Sequence, residues 1–415
     1  MKAILDVSLL GQGFYHPKAR TGVFRVAENL AHKLPSLSSD LEILLAENID
    51  LVATLGYLVD SKNEQNVEFV NYQSEVSTAQ RIAKILSIFP NQSKIQKILK
   101  RFSYEFSTKE KKLDANLLNT AQVYHSPYYP FPEQILANKR LKKIITIHDL
   151  IPVKYPQYFQ NQSDNTVHHI LQQINTDTHA ICVSEATKND FLEITQVPSS
   201  QVTVIPLAAS KELFYPVSDS TLIQATLKKF SIDATKPYFL SLATLEPRKN
   251  IETVIRSFVD LVSQEKIEDL QLVLVGTKGW DFDKIFEAIN TSEKLKSRII
   301  VTGYVPDDAL AALYSGALGF VYMSHCEGFG LPPLEAMQCG TPVICSNTTS
   351  LPEVVNNAGF LIDPTDNEAV SRAMLELYNN TEFTTLLKTN SLSRAKDFSW
   401  EKFAEQTFDF YKKIV

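Results

Sequence analysis

Residues 321–364 limit what this chain can fold into more than any other stretch. They read V-Y-M-S-H-C-E-G-F-G-L-P-P-L-E-A-M-Q-C-G-T-P-V-I-C-S-N-T-T-S-L-P-E-V-V-N-N-A-G-F-L-I-D-P. Two short apolar runs, Gly319–Met323 and Pro342–Cys345, predict buried parallel strands, and Pro332–Gln338 between them predicts a helix. The unit is strand, loop, helix, strand, and its chemistry sits in the loop. Gly328 and Gly330 permit backbone conformations and a close ligand approach that a Cβ would obstruct. Pro332 and Pro333 suit a first helical turn, where a missing N–H costs nothing. The N–H groups of Phe329, Gly330 and Leu331 are then expected to converge at the positive end of a helix, a site suited to a phosphate. Glu327 stands at the loop mouth and Glu335 on the first or second helical turn. Carboxylates accept hydrogen bonds from sugar hydroxyls, so two of them flanking a phosphate site suggest a sugar nucleotide.

Taken as a block, Glu327, seven residues and Glu335, with G-F-G-L-P between them, G-T-P-V after them and S-L-P-E-V-V-N-N-A-G-F-L-I-D-P beyond, resembles the donor-site signature of family-4 glycosyltransferases. That resemblance implies a retaining enzyme of the GT-B fold, an α/β architecture of two Rossmann-like domains facing across a central cleft. It also implies a C-terminal helix that crosses back to the first domain.

Length agrees with two domains, since 415 residues exceed one ordinary core. The net charge of −6 argues against nucleic acid as a partner. Cys182, Cys326, Cys339 and Cys345 show no metal-binding spacing and are expected to be reduced, which with the absence of an evident signal peptide or membrane span suggests a cytoplasmic protein.

In chain order, Ala3–Val7 predicts the first strand, followed by a glycine-bearing loop and a helix opened by Thr21-Gly22. The resemblance nominates Gly22, with Arg25, as cleft residues near the donor. Residues 79–112 carry nine Lys and Arg between Arg81 and Lys112 against two acids. They are expected either to lie on an anionic membrane, near a lipid-linked acceptor, or to pack on their own domain. Val123–Pro132 is an aromatic, proline-rich segment of the kind that stacks on sugars or anchors a loop. Ile144–Ile147 predicts a buried strand that delivers His148-Asp149 to its carboxyl end. The match of H-D-L-I-P to the family implies that His148 lines the acceptor and donor-sugar side of the cleft. Ala180–Ser184 predicts a strand and then a helix capped by Ser184, and Val202–Ala209 the last strand of the first domain. The family usually carries a glycine near Ala208.

The expected boundaries are a first domain at 1–209, a linker at 210–236, a nucleotide-binding domain at 237–396 and a crossover helix at 397–415. In the second domain, Tyr238–Ala243 predicts a strand and Asn250 onward a helix, with Arg248-Lys249 in the loop between them. Two adjacent cations at the mouth of a parallel sheet call for an anion, and the family match makes them ligands of the donor diphosphate. Many members have a further Arg where this chain has Thr244. The family also implies that backbone groups at Tyr304 and Val305 hold the nucleobase. Asp281-Phe282-Asp283 has the form of a metal motif but reads better as an acid pair opening a helix, so no metal is expected. The tail residues Phe398, Trp400, Phe403, Phe408 and Tyr411 predict a docked terminal helix.

The expected activity is transfer of a hexose from a nucleoside-diphosphate sugar, a co-substrate in a reaction needing no cofactor, to a saccharide or lipid-linked hydroxyl in polysaccharide or glycoconjugate synthesis. Arg248 and Lys249 would meet the departing diphosphate, Glu327 the sugar hydroxyls and Glu335 the ribose. The wording E-P-R-K-N and H-D-L-I-P leans toward mannosyl or rhamnosyl transfer, with GDP-mannose preferred over UDP- or dTDP-sugars. A sugar-nucleotide 2-epimerase of the same fold, a glycogen-type phosphorylase and a non-catalytic sugar-nucleotide-binding subunit are the alternatives.

Overall fold

A computed structural model describes residues 1–16, 20, 22–60, 68–88, 112–159, 165–244, 246–276 and 293–415. Among the described residues, twelve strands form two six-stranded sheets, both wholly parallel in their pairings. The first contains β1 (Lys2–Asp6), β2 (Glu42–Ala46), β3 (Val123–Ser126), β4 (Lys142–Ile147), β5 (Thr178–Cys182) and β6 (Val202–Val204), in the order 2-1-3-4-5-6. The second contains β7 (Tyr238–Leu242), β8 (Gln271–Val275), β9 (Ile299–Gly303), β10 (Gly319–Tyr322), β11 (Val343–Ser346) and β12 (Gly359–Ile362), in the order 12-11-10-7-8-9. Parallel strands covered by helices on both faces must be apolar along their whole length, and β8 is buried at all five positions. This is the doubly wound α/β architecture expected from the sequence.

Strand order places the sites. In an open parallel sheet, ligands bind beyond the carboxyl ends of the strands where the winding reverses. In the second sheet the reversal falls between β7 and β10, which bring the loops bearing Arg248-Lys249 and Glu327 side by side. In the first sheet it falls between β1 and β3, and there Gln12 and Tyr129, from the segments following those strands, are hydrogen-bonded to each other.

Strand β6 is shorter than Val202–Ala209, because Pro206 has no N–H to continue the ladder. Ala208 is buried without a left-handed backbone. Residues 210–236, read as a linker, include the helix Ser220–Lys229, capped by Asp219 and packed through Ile223 near Gly316. The final helix, Trp400–Ile414, lies against the first sheet: Tyr411 Oη is 2.7 Å from His125 Nδ1, and Lys33 Nζ is 2.8 Å from Glu401 Oε1. Tyr411 and Phe410 thus pack on strands of the first sheet, through His125 and His179, while Phe398 stays on Phe329 of the second domain. The helix Gln73–Ser87 covers the start of the basic stretch, while residues 89–111, Thr21 and Asp281–Asp283 lie outside the described residues.

Candidate active site

Helix Leu331–Gln338 begins with Pro332 and Pro333 in its first turn and Gly330 before it, at φ +118°. Among the described residues no side chain caps that end. The first N–H groups of a helix have no intrahelical acceptor, so an uncapped start is an open anion site. Gly22 of the first domain lies directly over it, since a Cβ there would come 2.5 Å from Leu331 Cδ1. Gly328 is packed tighter still, and a Cβ would fall 2.0 Å from the His148 carbonyl oxygen and 2.8 Å from Asp149 Cβ. The glycines thus allow the first domain to close on the loop, and the structure brings His148-Asp149 against Gly328.

Arg248 and Lys249 occupy a short 3-10 turn, Pro247–Lys249, after which Asn250 takes a left-handed backbone and starts the helix Ile251–Gln264. Both cations converge on Glu327. Lys249 Nζ is 2.6 Å from Oε1 and Arg248 Nη1 is 3.1 Å from Oε2, while the Tyr322 hydroxyl donates to Oε1 at 2.7 Å. The three charged side chains are only 15, 13 and 11% exposed for Arg248, Lys249 and Glu327. Burial alone would raise the Glu327 pKa, but Lys249 and Arg248 outweigh it and hold the carboxyl down at about 2. Among the described residues, the partners of both cations leave donors in reserve. Lys249 uses two of its three, on Glu327 and the Tyr322 oxygen, and Arg248 uses its own on Glu327, Glu246 and the Cys326 carbonyl.

Glu335 is buried, with Oε2 accepting from Tyr314 Oη at 3.2 Å and Oε1 3.4 Å from Arg25 Nη1. Burial raises its pKa to about 7, against the opposing pull of Arg25 and Tyr314. Arg25 Nη2 also reaches Asp307 Oδ2 at 2.9 Å, and its guanidinium lies over the Phe214 ring. Asp307 begins the helix that follows Tyr304 and Val305, so Arg25 joins the expected base loop to the expected ribose carboxylate. Tyr304 is exposed and Val305 buried.

His148 Nε2 lies 2.8 Å from the Pro127 carbonyl. A carbonyl only accepts, so Nε2 carries the proton and Nδ1 is the acceptor in the neutral ring. Burial lowers its pKa to about 4, opposed by that hydrogen bond. The sequence left Tyr322, Tyr314 and Glu353 without a part in the site. Tyrosines at a strand end or on a helix face read as core, and nothing local marks a surface glutamate that reaches another domain.

Residues 20–211 match the family model described as Glycosyltransferase Family 4, and residues 223–394 that described as Glycosyl transferases group 1. The chain is 33% identical over 293 residues to O-antigen chain mannosyltransferase B of Escherichia coli, covering 70% of this chain and 74% of that one. It is 29% identical over 276 residues to the serotype-specific mannosyltransferase WbdA of E. coli, covering 66% of this chain and 34% of that longer protein, so it spans about a third of WbdA. In fold it is similar to HepE of Anabaena, crystallised with UDP, at TM-score 0.66 and 16% identity over 99% of both chains. Two wholly parallel sheets of this winding, with the likeness to HepE over the whole chain, give the GT-B fold. The chain belongs to glycosyltransferase family 4, as its sequence resemblance implied.

Proposed function

We propose that this glycosyltransferase moves mannose from GDP-mannose to a hydroxyl of a growing saccharide or lipid-linked acceptor, with retention at the anomeric carbon and without a metal ion. The observation that carries the reading is the pairing of Arg248 and Lys249 around Glu327, beside the uncapped start of the Leu331–Gln338 helix. Breaking the bond between sugar and diphosphate builds negative charge on the leaving oxygen. Preorganised cations and backbone N–H groups stabilise that charge most where water is excluded. Arg248 and Lys249 would take the diphosphate from one side and the N–H groups of Phe329, Gly330 and Leu331 from the other.

Glu327 holds both cations in place, and its remaining lone pair would accept a sugar hydroxyl. Glu335 would accept the ribose hydroxyls, with the base at Tyr304 and Val305. His148 Nδ1 would accept a hydroxyl on the transferred sugar. No protein base is assigned; the departing phosphate would take the acceptor proton on the face it leaves.

Mannose is favoured because the E. coli relatives are mannosyltransferases. The basic stretch 79–112 would bring the enzyme to an anionic membrane, which sedimentation with anionic vesicles would test. For the transfer itself, the protein in EDTA is given GDP-mannose, UDP-glucose or dTDP-rhamnose with an oligosaccharide acceptor. Mannoside product of retained configuration supports the reading. An inverted product, or turnover only on adding a divalent cation, contradicts the corresponding part, and a free epimerised sugar nucleotide identifies an epimerase instead.

A further inference from the structure

The loop that faces the phosphate site is gripped from both domains, one peptide plane at a time. From the second domain, Thr349 Oγ1 accepts the Glu327 N–H at 3.0 Å. The Ser350 hydroxyl is shared between the carbonyls of Glu327, at 2.9 Å, and Phe329, at 2.7 Å. From the first domain, the hydroxyls of Ser184 and Thr187 both donate to the carbonyl between them, that of Gly328, at 2.7 and 3.1 Å. A trans peptide is planar, with its C=O and the next N–H pointing opposite ways. Whatever holds these three carbonyls therefore aims the N–H groups of Gly328, Phe329 and Gly330. Two of the three planes are set within the second domain, and the middle one is set by the first.

The same first-domain turn is bound a second time. Ser184 caps the helix Glu185–Ile194, accepting the Thr187 N–H at 3.0 Å. Glu353, three residues beyond Ser350, crosses to that helix. Its two carboxylate oxygens accept the N–H groups of Glu185 and Ala186, each at 2.7 Å. These are orphan donors of a first turn, and a carboxylate suits the positive end of the helix. The helix start is thus pinned to the second domain by Glu353 while its hydroxyls reach Gly328. If the domains part, the Gly328 carbonyl loses both donors and its peptide is free to turn, which points the Phe329 N–H away from the phosphate site.

We propose that Ser184, Thr187 and Glu353 are positioning residues for sugar transfer: they set the phosphate-facing loop in its reactive shape only while the first domain is docked. This rests on the glycosyltransferase function argued above. Nucleotide binding keeps Arg248, Lys249 and the Gly330 and Leu331 N–H groups without the clamp and so weakens little, whereas the transfer step needs the Phe329 N–H against the charge that develops on the leaving phosphate.

The test uses the full chain as wild type, Ser184→Ala/Thr187→Val and Glu353→Gln. It reads GDP affinity by calorimetry, kcat and KM for GDP-mannose, and hydrogen exchange across residues 327–331. The expected result is a GDP affinity within about twofold of wild type and a kcat lower by roughly tenfold or more, about 1.4 kcal/mol of barrier per factor of ten. Exchange at the Phe329 amide should be faster, and Ser184→Thr with Thr187→Ser, which keep both hydroxyls, should recover kcat. An unchanged kcat in both variants overturns the proposal, as does a loss of GDP affinity equal to the loss of kcat. Should wild type transfer no sugar, the glycosyltransferase reading is what falls. Exchange at Phe329 then decides the clamp alone, faster in the variants if it exists and unchanged if it does not.

Discussion

The guanidinium of Arg25 crosses the cleft to Glu335, with Nη1 3.4 Å from Oε1, and holds Asp307 with its other nitrogen. One first-domain side chain therefore links the loop expected to carry the base with the carboxylate expected to carry the ribose. Arg25→Ala removes both contacts and the partner that favours Glu335 ionisation. A charged hydrogen bond is worth about 1.5–3 kcal/mol, so donor KM at pH 7 should rise by roughly tenfold. The defect should shrink as pH rises and Glu335 ionises without that partner, which a KM series across pH measures.

Glu335 itself gives the donor site a pH dependence. Its carboxyl is raised to about 7, so it is largely protonated below neutrality and becomes a full acceptor above it. GDP affinity should accordingly tighten as pH rises through 7. Stability runs the other way, because the folded state holds a proton that the unfolded chain gives up at an ordinary carboxylate pKa. Glu335 ionisation thus subtracts stability as pH climbs from that range through 7. Glu335→Gln should flatten both trends, read by calorimetry and by thermal melts from pH 5.5 to 8.5.

Lys249→Ala leaves Glu327 with Arg248 and Tyr322 but removes its nearest cation, the 2.6 Å partner. Loss of one preorganised donor to a developing oxyanion typically costs about 100- to 1000-fold in kcat, and that is the expected loss in the transfer assay. Arginine at this position should recover little. Lys249 works at the end of a buried, converging pair, where a planar fork does not fit the Tyr322 and Glu327 oxygens as a point charge does.

The glycines facing the cleft should differ in their tolerance. An added Cβ at Gly328 meets backbone, the His148 carbonyl at 2.0 Å, which cannot yield without moving the domain. At Gly22 it meets the tip of a leucine, Leu331 Cδ1, which can rotate. Gly328→Ala should abolish measurable transfer while Gly22→Ala retains a substantial fraction. Small-angle scattering should find only the former more open.

Much of this site was legible because its chemistry is written in short loops. Glu327, Gly328 and Gly330 announce themselves through glycines and prolines at fixed offsets, and Arg248-Lys249 through two adjacent cations after an apolar run. The strands followed from β-branched runs such as Ile144–Ile147, because parallel strands are apolar throughout. Contacts across more than a hundred residues were not legible. Ser184 could be read as a helix cap from its own neighbours, yet its bond to the Gly328 carbonyl spans 144 positions. Strand β6 ended early at Pro206, a stop signal present in the sequence but outweighed by the apolar residues beyond it. Glu327 was read as a grip for sugar hydroxyls, and its dense pairing with Arg248, Lys249 and Tyr322 could emerge only when β7 and β10 were set side by side.

The most direct test is a crystal structure of the protein soaked with GDP-mannose or GDP. The diphosphate should lie within hydrogen-bonding distance of Arg248 or Lys249 on one side and of the Gly330 and Leu331 N–H groups on the other, with the ribose against Glu335. A diphosphate bound elsewhere, with the Lys249–Glu327 pair and the start of the Leu331–Gln338 helix untouched, would contradict it.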